Sequence, residues 1–155
     1  NLLSDEGLCG DTRHEECYAW TDDAYDTPCK FKPDWFNESL RMVIDYKTIA
    51  RFSERAIKKQ IVDLKYHLQA AHYMMGASYA LNQPVHHVTM IFMFVETAAP
   101  YRCAAIKLSD EDADASLSYR DKMLEKLYSL SDAQDYRESF QKDINVIQLP
   151  RYSYE

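Results

Sequence analysis

Two stretches near the start of the chain alternate between apolar and polar residues, Cys29 to Phe36 and Arg41 to Lys47. A polar connection, Asn37-Glu38-Ser39-Leu40, separates them, so they are predicted to form an antiparallel hairpin. Phe31 and Trp35 fall on one face of the first strand, with Lys30, Lys32 and Asp34 on the other. On the second, Met42, Ile44 and Tyr46 oppose Arg41, Val43, Asp45 and Lys47, which assigns one face to the core and the other to charge. Pairing Phe36 with Arg41 across the turn sets Asp34 opposite Val43 and diagonal to Asp45. Asp34, Asp45 and Lys47 then project from one face.

The remaining pattern predicts an α/β domain with a central mixed β-sheet flanked by α-helices. Cys17-Tyr18-Ala19-Trp20 reads as a short strand, and Ile49 to Val62 as a helix or broken helix. A longer helix runs from about Leu64 to Leu81, where Asn82-Gln83-Pro84 stops it. His87 to Glu96 and Tyr101 to Leu108 are rich in β-branched and aromatic residues and read as strands around Thr97-Ala98-Ala99-Pro100. Ser109 caps a last helix, with Asp110, Glu111 and Asp112 in its first turn. It continues to about Leu130 and is expected to bury Leu117, Met123, Leu124, Leu127 and Tyr128.

The charged hairpin face carries recognisable chemistry. Pro33-Asp34, ten residues, then Asp45-Tyr46-Lys47 spell PD-x10-DxK, the pattern of a metal-dependent phosphodiesterase site. Two carboxylates can hold a hard divalent cation, and a lysine beside them can orient a water for attack on phosphate. The alternative is a solvated hairpin face. Gln69 and Tyr73, four apart on the long helix, stack on one side and can approach the same site or simply pack the helix against the sheet. His14, Glu15 and Glu16 precede the first short strand and read as a solvated strand end.

From about Trp20 onward the chain resembles the exonuclease VIII (RecE-type) nuclease domain, in the RecB-like branch of the PD-(D/E)xK nuclease superfamily. The resemblance rests on Cys29-Lys30-Phe31-Lys32-Pro33-Asp34, Val43-Ile44-Asp45-Tyr46-Lys47-Thr48, and the helix Tyr66-His67-x-Gln69-Ala70-x-x-Tyr73. Phe92 to Glu96 followed by Pro100-Tyr101, and the closing Leu149-Pro150-Arg151, complete the ordered matches. It implies that Asp34, Asp45 and the backbone carbonyl of Tyr46 bind Mg2+ or Mn2+, that Lys47 positions the attacking water, and that Gln69 and Tyr73 lie beside the active centre and DNA. It further implies double-stranded DNA ends as substrate, 5′-to-3′ digestion, a homo-oligomeric ring and a recombination partner protein. Related enzymes carry a histidine or acidic residue on a helix before the first catalytic strand, and this chain is expected to begin after that helix.

Composition adjusts this picture without displacing it. The 155 residues, with 46% hydrophobic residues, three glycines and no low-complexity tract, fit one domain over 1–155. No apolar stretch approaches a membrane span and the start lacks a signal-peptide pattern, so a cytoplasmic protein with no membrane partner is expected. A net charge of -7 argues superficially against nucleic acid, yet composition does not set distribution. Acidic residues crowd into Ser109 to Asp114 and Asp132 to Glu138, whereas Lys30, Lys32, Arg41, Lys47, Arg51, Arg55, Lys58 and Lys59 are expected around the site. Cys9, Cys17, Cys29 and Cys103 form no CxxC pair and read as reduced structural thiols. His67, His72 and the His86-His87 pair show no metal-ligand spacing.

The reading is a metal-dependent exonuclease acting on double-stranded DNA ends. A related nuclease that cuts internally or on single strands, and an inactive DNA-binding or interaction module, are the alternatives.

Overall fold

The computed structural model describes residues 12–132; Cys9, the acidic residues from 133 to 138 and Leu149-Pro150-Arg151 lie outside them. The strands are β1 (Thr12–Arg13), β2 (Tyr18–Asp22), β3 (Thr27–Phe31), β4 (Trp35–Asn37), β5 (Met42–Ile49), β6 (Thr89–Glu96) and β7 (Cys103–Ile106). The helices are α1 (Glu54–Asp63), α2 (Tyr66–Leu81) and α3 (Asp110–Asp132), with a single 3-10 turn at Val85–His87. A five-stranded mixed sheet runs β1-β4-β5-β6-β7, and β2-β3 form a separate antiparallel ribbon. Among the described strands only β5 and β6 pair in parallel, and α1 and α2 supply the crossover that a parallel pair requires.

The buried side of the sheet presents Val43, Ile49, Met90, Phe92 and Phe94 beneath Ile57 and Ile61 of α1 and Ala70 and Ala77 of α2. Small residues let α2 approach closely. At Gly76 an added Cβ would stand 2.4 Å from Phe31 Cδ1 and 2.8 Å from Trp20 Cζ3. The ribbon is fixed to α3 by a buried ion pair, Arg120 Nη2 to Asp22 Oδ2 at 2.6 Å. Local signals set the helix ends. Ser53 Oγ accepts from the Ala56 N–H, Ser109 Oγ accepts from the Asp112 N–H, and Asn82 closes α2 in the left-handed region.

Several sequence expectations need correction. The stretch Cys29 to Phe36 is two strands rather than one: β3 pairs with β2, β4 pairs with β5, and Asp34 sits in the bend between them. Pro33, which has no N–H to donate, interrupts the ladder there. The hairpin register differs by two residues at Phe36, which pairs with Val43, while Asn37 pairs with Met42. Arg41 belongs to the turn with φ 51°, because Asn37 Oδ1 accepts from the Leu40 N–H and Glu38 O accepts from the Arg41 N–H. The core also lies on the other side of β5. Val43 and Asp45 are buried, whereas Tyr46 is 55% exposed.

Element limits shift more modestly. β5 extends to Ile49, so the first helix begins only at Glu54; Lys65, at φ 57°, separates it from α2. His87 lies in the 3-10 turn, β7 is shorter than Tyr101 to Leu108, and β2 starts at Tyr18. On α3, Leu124 is buried, but Met123, Leu127 and Tyr128 are exposed.

Candidate active site

Strand β5 and the bend before β4 bring the two aspartates together. After Trp35 pairs with Ile44, the chain leaves the ladder, and the Asp34 side chain takes its place: Oδ2 accepts the Tyr46 N–H at 2.6 Å. Asp45 points to the opposite side of β5 from Tyr46, under α2, where only 5% of its surface remains exposed. Gln69 of α2 donates from Nε2 to Asp45 Oδ2 at 2.9 Å. The Lys47 ammonium closes on Oδ1 of the same carboxylate as an ion pair outside hydrogen-bond geometry, which leaves this buried oxygen without a hydrogen bond.

Lys47 is itself enclosed. Its Nζ lies 4.1 Å from the Tyr66 ring centroid and 5.8 Å from that of Phe92, so the charge is held by aromatic faces as well as by Asp45. Gln60 Nε2 donates to Thr48 O at 3.0 Å and approaches the Tyr66 hydroxyl at 3.5 Å, tying α1 to the same corner. Tyr73 acts one step away: its hydroxyl donates to Lys32 O at 3.0 Å, just before Pro33-Asp34, and its ring packs on Phe31. His72 Nε2 meets Lys30 O at 3.0 Å, so neighbouring α2 residues anchor successive outward carbonyls of the chain leading to Asp34.

The expected convergence of Asp34, Asp45, Lys47 and Gln69 is therefore present, although not on a solvated hairpin face. Tyr73 contacts the backbone beside Asp34 rather than a carboxylate. Tyr66 and Gln60 were not assigned a role from sequence. Tyr66 lies three residues before Gln69, on the same helical side, and that spacing was the available signal. Glu15 is exposed, as expected of a solvated strand end, but it also contacts the chain leading to Asp34. Its N–H donates to Pro33 O at 3.2 Å and its carboxylate pairs with Lys32 Nζ at 2.5 Å.

The electrostatics follow from this crowding. Burial pushes the Asp34 carboxyl above its ordinary range; the charges of Asp45 and Glu15 add to that push, and the Tyr46 N–H opposes it. Glu15 is held below the usual carboxylate range by its hydrogen bond with Lys32 and then by one with Asp34. The expected basic cluster is partly neutralised. Lys32, Lys47, Lys58 and Lys59 pair with Glu15, Asp45, Glu54 and Asp63, while Lys30, Arg41, Arg51 and Arg55 have no ion pair among the described residues.

Among the described residues, no group of three or more His, Cys, Asp or Glu side chains is arranged to hold a metal ion. The two aspartates nevertheless suit magnesium. That ion is commonly bound by one or two carboxylates, with water and substrate phosphate completing its shell. Asp45 Oδ1, buried, ion-paired with Lys47 and accepting no hydrogen bond, is the carboxylate oxygen that Gln69 leaves open to such a partner. Cys17 and Cys103 are exposed free thiols, and Cys29 is a buried one.

The mixed sheet with its crossover helices and the aspartate-lysine corner define a PD-(D/E)xK-type domain. The chain belongs to the family described as a PDDEXK-like domain of unknown function (DUF3799), which matches residues 11–138. Among solved structures it is similar to a putative exonuclease from Eubacterium rectale, with a TM-score of 0.60 and 12% sequence identity. The alignment covers 89% of this chain but 56% of that one, so the chain spans little more than half its length. At that identity the likeness is one of fold. No curated protein matches. Among the described residues, no helix is long and apolar enough to cross a membrane.

Proposed function

We propose that this domain is a divalent-metal-dependent deoxyribonuclease that hydrolyses phosphodiester bonds from the ends of double-stranded DNA. The observation that carries this reading is the shared corner of Asp34, Asp45, Lys47 and Gln69, where an acidic pair stands against a cation held by aromatic rings. Asp34, Asp45 and the Tyr46 carbonyl would hold Mg2+ or Mn2+, which supplies Lewis-acid chemistry at a phosphate oxygen. Gln69 fixes the Asp45 carboxylate. Lys47, being cationic, donates hydrogen bonds to the attacking water or to phosphate oxygens as negative charge develops. Tyr73 holds the Lys32 carbonyl and so the approach to Asp34. Attack at duplex ends, digestion from 5′ to 3′, assembly as a ring and a recombination partner rest on the resemblance to RecE-type enzymes. The assay is end-labelled linear duplex beside closed circular duplex, with and without magnesium. Metal-dependent loss of linear DNA alone supports the reading; cutting of the circle selects an internally acting nuclease, and no cutting selects a binding module.

A further inference from the structure

Phe92 faces Lys47 at the metal corner, but the chain beyond it, through Glu96 to Pro100-Tyr101, takes no part there, and the loop joining β6 to β7 is tightly built. Glu96 and Arg102 knot its base. The Glu96 N–H donates to Arg102 O at 2.8 Å, and Arg102 Nε and Nη2 each donate to a Glu96 carboxylate oxygen at 2.8 Å. The Thr97 N–H donates to Ile49 O at 3.0 Å, which fastens the loop to the end of β5. The Arg102 guanidinium also lies 5.0 Å from the Phe52 ring centroid.

This bracing displays one aromatic side chain. Tyr101 is 65% exposed, more than any other large hydrophobic residue described. Its φ of 57° is uncommon for a residue with a side chain, and its N–H is held by Ala98 O at 2.8 Å. Apolar surface presented from a rigid loop in a sparsely populated backbone state is a pattern found at ligand sites. Arg51 and Arg55 lie close in sequence to Phe52, the ring that Arg102 covers, and have no ion pair among the described residues. The loop lies at the carboxyl ends of the parallel pair β5 and β6, where open α/β sheets bind ligands. Asp45 to Ile49 is about 13 Å of strand. A few nucleotides span that distance.

We infer that Tyr101 is a stacking platform for a nucleobase of the substrate strand, with Arg51 and Arg55 receiving the adjoining phosphates. This rests on the nuclease reading and adds a substrate contact outside the metal corner. An aromatic face accepts any base, so the platform grips DNA without reading sequence. Arg102, occupied by Glu96 and Phe52, holds the loop rather than the strand.

The test is equilibrium binding of a fluorescein-labelled duplex with a short single-stranded end, followed by anisotropy with Ca2+ in place of Mg2+. Cleavage of the same DNA in Mg2+ is measured in parallel. Tyr101→Leu is expected to weaken binding by about 5- to 150-fold and Tyr101→Phe to keep it, as stacking requires. Arg51→Ala with Arg55→Ala should lower the salt dependence of binding by about two phosphate contacts. Unchanged affinity in Tyr101→Leu, while the wild type binds and cuts, overturns the platform and leaves the nuclease reading intact. An equal loss in Tyr101→Phe also overturns it, because the hydroxyl rather than the ring would be responsible. A wild type that neither binds nor cuts DNA overturns both.

Discussion

Replacing Gly76 by alanine tests how α2 is seated over the β2-β3 ribbon. In a free helix this change is favourable by about 1 kcal/mol, because alanine loses less backbone entropy. Here the new Cβ would meet Phe31 Cδ1 at 2.4 Å, Phe31 Cε1 at 2.9 Å and Trp20 Cζ3 at 2.8 Å. Carbon atoms rest at about 3.5–4.0 Å, so the nearest contact must open by roughly 1 Å or more. Phe31 cannot readily give way: it is 2% exposed and packed against Tyr18, Trp20, Phe36 and Tyr73. Overpacking of this kind costs about 1–3 kcal/mol, and rigid rings on the receiving side place it at the upper end. After the helix gain, a net loss of about 2 kcal/mol remains, which lowers Tm by about 4–8 °C in a chain of this size. Urea unfolding should show the same loss as a midpoint lower by about 1 M. Because the same displacement draws Tyr73 away from Lys32 O, cleavage should fall as well. A variant as stable as wild type, or more stable by the helix gain, would refute the close seating.

Three further outcomes follow from the site and its surroundings. Gln69→Ala removes a donor to a buried carboxylate and should cost about 1–3 kcal/mol in stability. Cleavage should fall more than tenfold, which unfolding and activity measured on one preparation will separate. Asp34→Asn keeps an acceptor for the Tyr46 N–H but removes a charge that burial and Asp45 disfavour. The metal-free variant should melt at or above wild type at neutral pH, lose that advantage as pH falls and Asp34 itself becomes neutral, and bind Mn2+ more weakly by calorimetry. Glu96, lowered by Arg102 from 4.5 to about 2, should contribute stability that is full above pH 4.5 and lost as pH falls towards 2. The difference between wild type and Glu96→Gln in acid unfolding should therefore shrink across that window.

The grouping of Asp45, Lys47 and Gln69 was legible in the sequence because spacing and parity survive errors in architecture. Asp45 and Lys47 share parity with Val43 in any strand, and Gln69 and Tyr73 share a helical side, so their grouping did not depend on the hairpin register. The identity of the buried face did not survive. Binary patterning assigns charge to solvent, and an enclosed aspartate-lysine pair breaks that rule. Pro33 was the available signal that the first strand must break. On α3 the buried stripe is Ser116, Arg120 and Leu124, four residues apart. A buried arginine paired with Asp22, nearly one hundred residues earlier, carries no mark in an apolar pattern, which instead points to Met123, Leu127 and Tyr128. Glu15 reaches the Asp34 bend through Lys32 and the Pro33 carbonyl, contacts that depend on tertiary folding.

The central claim is that Lys47 stands at a metal-dependent phosphodiesterase centre. Single-turnover cleavage of end-labelled duplex DNA at saturating Mn2+, by wild type and by folded Lys47→Ala, addresses it directly. Loss of one preorganised electrostatic contact should slow the variant by about 10²-fold or more while DNA binding persists. A near-normal rate in Lys47→Ala, or wild-type cleavage that proceeds equally well in chelator, would contradict the account.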